Sequence, residues 1–566
     1  MSWLASNLPP IMFAALLVLL LTGFPVAFGL ATCGILFGLI AVALELAPAQ
    51  FFNALPLRVY GIMSNDTLLA IPFFTFMGLI LERSRMAEDL LETIGQVFGP
   101  LRGGLAVAVV LVGAMLAATT GVVAASVIAM GLISLPIMMR YGYNRPLAAG
   151  VITASGTLAQ IIPPSLVLIV IADQLGKSVG DMYKAAFLPA FMLVGIYLII
   201  IFCLAIVKPK WVPALPPEAR IYREANGSSG YASLGILTGL SVAVGAAVFV
   251  WYVPIIRALG AKADAAPPTD EKVVMMLMAT ITFALIVAVA DRVLRTRLLS
   301  EIAQRVTFVL IPPLLLIFLV LGTIFLGVAT PTEGGAMGAA GAMVLAIARK
   351  RLDLPLLRQA LDSSARLSIF VLFVLVGSTV FSLTFQAING PHWVENLFKA
   401  LPGGALGFLI FVNAMIFVLG CFIDFFEITF IVLPLLLPVA DKLGIDLIFF
   451  GVMIALNLQT SFLTPPFGFA LFYLRSVAAK TDYTDKVTGA RIAALKTGDI
   501  YKGSIAFVVL QVIMVVAVVA KPSLVTGALQ AEKKVDVEKV NLNITAPEEE
   551  EPPPSMGAPA PAAPKQ

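Results

Sequence analysis

The chain has 566 residues, 60% of them hydrophobic and only 12% charged, with a mean hydropathy of +1.00. Soluble domains carry about 25% charged residues, so an ordinary soluble protein is excluded. A formal net charge of +4 gives no basic surface for nucleic acid, and Cys33, Cys203 and Cys421 lie far apart without metal or redox spacing.

In chain order, the first residues, MSWLASNLPP, carry no positive n-region and do not read as a cleavable signal peptide. Apolar stretches long enough to cross a roughly 30 Å hydrocarbon core lie near 10–22, 25–42, 66–81, 147–172, 184–207, 232–255, 273–291, 306–327, 335–348, 366–388, 448–474 and 503–520. Two more, 105–136 and 405–438, are interrupted in the middle. Each starts after a double glycine and ends near a proline, which predicts a re-entrant hairpin. Before each lies a stretch with apolar residues at i, i+3, i+4 spacing, as in a helix on the bilayer surface. One carries Leu90, Leu91, Ile94, Val97 and Phe98; the other carries Trp393, Val394, Leu397, Phe398 and Leu401.

The landmarks occur twice. Pro136, Gly142 and Pro163–Pro164 recur as Pro438, Gly444 and Pro465–Pro466, all at an offset of 302 residues. The double glycines, Gly103–Gly104 and Gly403–Gly404, sit at offset 300, and Pro9–Pro10 and Pro312–Pro313 at 303. Prolines and glycines interrupting apolar runs at matching places in two halves point to a transporter whose site lies at the broken helices. The expected organisation is a first repeat at 1–207, an inserted linker with two extra spans at 208–305, a second repeat at 306–520, and a charged, then Pro/Ala-rich tail at 521–566 that reads as disordered.

Loop charge orients this map. With the N-terminus outside, the loops 82–104, 137–146, 208–231, 292–305, 349–366 and 475–502 hold 24 of the 37 Lys and Arg residues. The positive-inside rule makes those loops cytoplasmic and both termini periplasmic. The two hairpins then enter from opposite sides, so the repeats are inverted.

The chemistry expected of the broken segments follows from their backbone. The first half offers a hairpin tip, Ala118–Gly121, and the run Ser155–Ser165; the second offers Gly420–Asp424 and Asn457–Pro466. Proline lacks an N–H, so carbonyls one turn earlier, near Ala159 and Gln160, lose helical partners. Bare carbonyls and Ser/Thr hydroxyls are hard oxygen donors suited to Na+, and the N–H groups of the next half-helix can face an anion. A packed kink is the plainer alternative at either site alone.

Asp424 and Glu427 are acids inside a predicted hairpin, where Asp424 would help hold a cation or carry a proton. A tip raised to the aqueous edge would leave them merely solvated. Glu333, in Thr330-Pro331-Thr332-Glu333, reads as a helix cap, and Gly334, Gly338 and Gly341 as close helix packing. His392 is the sole histidine and reads as a rim residue. With no Cys/His cluster, GxSxG or Walker loop there is no basis for an enzyme or ATPase, so transport must draw on an ion gradient.

In LTGFPVAFGL (21–30), LLAIPFFTFMG (68–78), GLISLPIMMRYGY (131–143), TLAQIIPPS (157–165), GVATPTEGGA (327–336) and NLQTSFLTPPFGFALF (457–472) the chain resembles the large membrane (M) subunit of tripartite ATP-independent periplasmic (TRAP) transporters. The insertion and CFIDFFEI (421–428) resemble the mannitol/chloroaromatic-type subgroup, whose names do not fix a substrate; 2-oxo acids and lactate fit as well. The resemblance implies an elevator-type Na+ symporter of organic acids in the bacterial inner membrane. Its partners would be a small four-helix membrane subunit, a periplasmic substrate-binding protein and membrane lipid. It implies Na+ ligands among Thr119, Gly121, Ser155, Gly156 and Thr157 in one half, and among Gly420, Asp424, Asn457, Thr460 and Thr464 in the other. Substrate would lie near Thr119, Thr120, Gly121, Pro163, Pro164, Asp424, Pro465 and Pro466. The ATTG tip at 118–121 departs from the Gly/Ser-rich form common in the family. The alternative is a stand-alone anion permease or antiporter of related inverted-repeat architecture, which needs no binding protein.

Overall fold

A computed structural model describes residues 7–220, 230–258, 269–399, 402–485, 487–527 and 529. Among these, strand is confined to a pairing of Tyr483–Thr484 with Arg491–Ile492. The rest is helical. The first half holds α1 (Leu8–Leu21), α2 (Val26–Ala43), α3 (Ala54–Met63), α4 (Ala70–Arg83), α5 (Met86–Phe98), α6 (Gly104–Thr120), α7 (Val123–Arg140), α8 (Arg145–Thr157), α9 (Leu166–Gln174) and α10 (Val179–Val207). The linker holds α11 (Tyr231–Val250), α12 (Tyr252–Ala258) and α13 (Thr269–Leu294). The second half holds α14 (Glu301–Phe325), α15 (Pro331–Ala348), α16 (Leu354–Ala387), α17 (Gly390–Lys399), α18 (Gly404–Leu419), α19 (Phe425–Glu427), α20 (Leu433–Lys442), α21 (Leu447–Phe462), α22 (Phe469–Val477), α23 (Thr497–Ala520) and α24 (Ser523–Thr526). A π-helical turn, Ile428–Val432, joins α19 to α20.

Both predicted hairpins are present, as α6–α7 and as α18 followed by α19–α20. Both predicted breaks are present too. Helix α8 ends at Thr157, passes through a 3-10 turn at Leu158–Gln160, and α9 restarts at Leu166. Helix α21 ends at Phe462 and α22 restarts at Phe469. Both Pro–Pro bonds are cis. The broken helices start alike as well: Asn144 accepts from the Leu147 N–H and Asp446 from the Phe449 N–H. These caps satisfy orphan N–H groups at the helix start and lie 302 residues apart.

The packing repeats with the two halves exchanged. Helix α2 lies along α16, and α15 lies along α4. Helix α8 packs on α23, and α21 on α10; α5 lies against α14, and α17 against α1. Such swapped pairs are what a pseudo-two-fold axis between two inverted repeats produces. Lipid gives helices no hydrophobic reason to associate, so small residues let backbones approach. Gly34 and Gly377 bring α2 and α16 into backbone contact, and Gly338 faces Met77 across the α15–α4 contact. The outer surface is apolar, as with Ile199 and Ile206 on α10 and Ile236 on α11, each exposed by more than half.

The six loops expected on one face do meet one another, the 292–305 loop through Ser300 Oγ, which donates to Gly230 O at 2.9 Å. Arg349 and Arg351 pair with Asp89 at 3.1 and 2.8 Å, and Arg140 pairs with Asp485 at 2.9 Å. The Leu215 N–H donates to Gly99 O and the Asn144 N–H to Trp211 O. The loops expected opposite also join: Asn65 Nδ2 donates to Asp173 at 2.7 Å, and Thr332 Oγ1 to Asp66 O at 2.6 Å.

Some boundaries differ from the sequence reading. Helix α16 starts at Leu354 rather than near 366, because Asp353 caps it and its first turns are too polar for a hydropathy window. Among the described residues eight helices are long and apolar enough to count as single spans, since the breaks cut α8–α9 and α21–α22 short. At the start of the expected tail, Ser523–Thr526 is helical and Val525 is fully buried. Residues 530–566, the rest of that tail, lie outside the described residues.

Candidate functional site

The site is built from each hairpin and the broken helix that follows it. In the first half nearly all of α6 is buried, and α7 begins after Gly121. Gly121 has φ +59°, the left-handed region that glycine adopts without cost. A side chain there would start 3.2 Å from the Leu166 nitrogen. The tip therefore seats on the first residue of α9, where the half-helix exposes N–H groups. Ser155 packs against Gly113 of α6, and Gly156 against Val127 of α7. The expected contact is thus split: Ser155 and Gly156 meet the hairpin arms about two turns from the tip, while Gly121 meets the residues after Pro163–Pro164.

Each of these hydroxyls gives its proton away, but Thr120 also faces Ser126 and Thr157 also receives glutamine amides. Thr119 and Thr120 both donate to Leu116 O at 2.9 Å, and Thr120 Oγ1 lies 2.8 Å from Ser126 Oγ. Ser155 donates to Val151 O and Thr157 to Ala154 O. A hydroxyl oxygen that has given its proton to a helix carbonyl keeps lone pairs, so Thr119 and Ser155 fit a cation-binding role. The Ala159 carbonyl cannot take the usual i+4 proton, since Pro163 has none. The Gln160 carbonyl instead accepts from Ser165 Oγ at 2.8 Å.

In the second half Gly420 lies against Ser461. Phe422 packs on Phe467, and Phe425 on Phe462. Asn457 Nδ2 donates to Asn413 O at 2.7 Å. Thr460 and Thr464 donate to carbonyls one turn back, again leaving oxygen lone pairs. Asp424 and Glu427 form a capping box: Asp424 Oδ1 accepts from the Phe425 N–H, and Glu427 Oε2 from the Asp424 N–H at 2.9 Å. Asp424 is half-buried and Glu427 is 9% exposed. Outside the membrane segment, Glu333 caps α15 through a box with Thr330, as its sequence context indicates.

The two broken helices touch each other. Gln459 Nε2 lies 3.5 Å from Thr157 Oγ1. These residues are 302 apart, the offset of the proline pairs, and residues related by a two-fold axis can meet only beside that axis. Gln511 Nε2 of α23 also reaches Thr157, at 3.4 Å, and donates to Tyr197 Oη of α10 at 2.7 Å. Four helices thus place a polar cluster where the repeats join, with every member at most 2% exposed.

Three glutamines there were not among the expected ligands. Gln160 has neither side-chain polar atom partnered, and the carbonyl oxygens of Gln459 and Gln511 are also unpartnered. An unsatisfied buried polar group costs about 1–3 kcal/mol, so these amides carry hydrogen-bonding capacity that no protein group uses. The available signal was an amide beside a Pro–Pro break; Gln511, alone in an apolar span, gave none. Among the described residues no three His, Cys, Asp or Glu side chains come together. The arrangement offers hard-oxygen coordination and half-helix N-termini, which bind ions and anions.

A family model described as "Tripartite ATP-independent periplasmic transporter, DctM component" matches residues 13–524. A C4-dicarboxylate TRAP transporter large permease protein of Pseudomonas aeruginosa is 26% identical over 438 residues, covering 77% of this chain and 83% of that protein. The corresponding protein of Rhodobacter capsulatus is 27% identical, covering 84% and 91%. A sialic acid TRAP transporter permease protein of Haemophilus influenzae is 22% identical, covering 90% and 66%. A crystal structure of the Alcanivorax borkumensis YdaH transporter aligns with a TM-score of 0.48 at 11% identity, over 83% of this chain and 87% of that one.

Proposed function

The chain belongs to the family of the DctM component of tripartite ATP-independent periplasmic transporters and is a large permease subunit; from that premise we propose that it imports an organic-acid anion by symport with Na+. It is a multi-pass inner-membrane protein and not an enzyme, and membership implies a small membrane subunit and a periplasmic binding protein as partners. That partnership favours the tripartite reading over a stand-alone permease.

One observation carries the proposal: in each half a hairpin seats on a proline-broken helix, and the two broken helices meet at Thr157 and Gln459. In the first half Na+ would bind either at the tip, Thr119–Gly121, or along Ser155–Thr157, which meet the hairpin at different levels; in the second half it would bind between Gly420–Asp424 and Asn457–Thr464. Those groups supply hydroxyl and main-chain oxygens, the donors Na+ takes when it sheds water. Na+ would order the broken segments, and the substrate carboxylate would then face the N-terminal ends of α9 and α22, whose dipoles favour an anion. Thr120, Pro163, Pro164, Pro465 and Pro466 line that approach.

Relatives are named for C4-dicarboxylate, isethionate and sialic acid, all organic acids ionised at neutral pH, which supports the substrate class. The hairpins with α8–α10 and α21–α23 would move as an elevator against α1–α5 and α14–α17. The arginine-rich face would be cytoplasmic and both termini periplasmic, as loop charge favours.

The test is uptake into proteoliposomes holding this chain, its small subunit and its loaded binding protein. Replacing Na+ by choline is expected to abolish uptake. Undiminished uptake in choline would overturn the coupling. A thermal-shift screen of the binding protein against small carboxylates selects the solute.

A further inference from the structure

Far from the broken helices, a cavity of about 500 Å³ opens where the ends of α5, α13, α14 and α15 meet. Four arginines (Arg292, Arg305, Arg349 and Arg351) and two carboxylates (Asp89 and Glu301) line it. Asp89 is already shared by Arg349 and Arg351. Arg349 also donates to Phe308 O at 2.6 Å.

Arg292 is exposed and stacks over the Phe308 ring, 5.1 Å from its centroid. Among the described residues no carboxylate lies within ion-pair distance of it. Its neighbour Asp291 is occupied by Thr296, the Leu298 N–H and Gln304. Burial pushes the Arg349 guanidinium below its ordinary value; Asp89 opposes that, and Arg351 and Arg305 reinforce it. A second cavity of about 520 Å³, lined by Arg83, Arg85 and Asp353, shares Arg351 with the first. The positive charge is in excess, and an anion would relieve it.

The helix ends that carry the arginines indicate which anion. Val293, Leu294 and Leu298, just beyond Arg292, are 73, 71 and 77% exposed, and Val344 and Ile347, just before Arg349, are 63 and 60% exposed. A soluble anion has no use for that apolar border, whereas acyl chains do. Basic pockets at the ends of membrane helices suit lipid phosphates, and guanidinium forks match phosphate oxygens.

We propose that this cavity holds the phosphate headgroup of an anionic phospholipid, bound by Arg292 and Arg349, with acyl chains along the ends of α13 and α15. The lipid would fasten the linker helices to the second repeat on the arginine-rich face. The proposal does not depend on which ion or solute is carried.

The test uses the full chain in nanodiscs and in mild detergent. Native mass spectrometry and thermal unfolding are read with phosphatidylglycerol, with phosphatidylcholine, and with inorganic phosphate. Phosphatidylglycerol is expected to be retained preferentially and to raise Tm. The Arg292→Gln variant should weaken that binding about fivefold; it removes only a ring contact and so leaves the Asp89 pairs intact. Arg349→Gln should weaken it further, and added salt should weaken all of it. Equal retention of the two lipids would overturn the proposal. So would unchanged binding by Arg292→Gln, or a Tm rise from inorganic phosphate matching that from lipid, which would make this a soluble-anion site.

Discussion

The two hairpins occupy equivalent places in the repeat but are held differently. In α6 nearly every residue is buried, whereas in α18 the buried ones are Phe408, Leu409, Val412 and Ile416. The first tip is clamped from two sides: Gly78 of α4 meets its backbone, and Leu166 of α9 meets Gly121. The second tip carries its own fastening, the Asp424–Glu427 box and the π turn after it. Surrounding helices hold both tips, but the second adds local hydrogen bonds of its own and a less buried first arm. A symmetric architecture has reached the same fold through different interactions. In an elevator reading, the second hairpin is the one freer to change.

The largest expected effect lies at the first clamp. A side chain at Gly78 would start 2.5 Å from Thr119 O and Thr120 Cα, backbone that cannot step aside. Gly78→Leu should cost about 3 kcal/mol or more and abolish uptake. Leu406→Ala, at a residue 56% exposed on α18, should shift stability by no more than about 0.5 kcal/mol. Thermal unfolding of the two variants side by side checks this, and equal losses would remove the asymmetry.

Next is the contact between the halves. Gln459→Leu should destabilise by about 1–2 kcal/mol, and the double change with Thr157→Val should cost less than the two single changes added. A double-mutant cycle measures that coupling; strict additivity would mean the 3.5 Å approach carries no energy.

At the second tip, Asp424→Ala removes a cap worth about 1 kcal/mol, whereas Asp424→Asn keeps one. If the carboxylate only caps, the Asn variant transports with unaltered Na+ affinity. If it also meets the ion, the Na+ concentration for half-maximal uptake rises in both variants. Uptake against Na+ concentration separates the two roles.

The smallest effect is expected outside the membrane, at Asp485. Its hydrogen bonds from Arg140, and then from Thr488, hold its carboxyl well below the usual range. A depressed carboxyl contributes stability above its unfolded value of about 3.9, and that stability is lost as pH falls through the folded value. Asp485→Asn should therefore lower Tm at neutral pH and converge with the unchanged protein in acid. A constant gap across pH would show that the carboxylate charge is not responsible.

Much of this was legible in the chain. Prolines and glycines act on backbone whatever surrounds them, so Pro163–Pro164, Pro465–Pro466 and Gly121 marked the breaks and the first tip. The order of the apolar spans foretold which loops share a face, as the Asp89–Arg349 and Arg140–Asp485 pairs bear out. What stayed hidden depends on partners far away in sequence. Nothing local says that Thr157 meets Gln459, that Gln511 joins them, or that Ser155 faces Gly113 rather than the tip. Asp424 was legible as an acid within the hairpin but not as a cap, because its partner Glu427 could equally have pointed into an aqueous space.

The exchange of partners between the halves has a consequence for how the protein is made. Helix α2 finds its backbone-close neighbour in α16, and α4 finds one in α15, hundreds of residues later in synthesis. When the first repeat leaves the ribosome, the groove at Gly34 has no partner helix yet. Insertion can follow chain order, but assembly has to wait for the second repeat, and neither half would survive as an independent module.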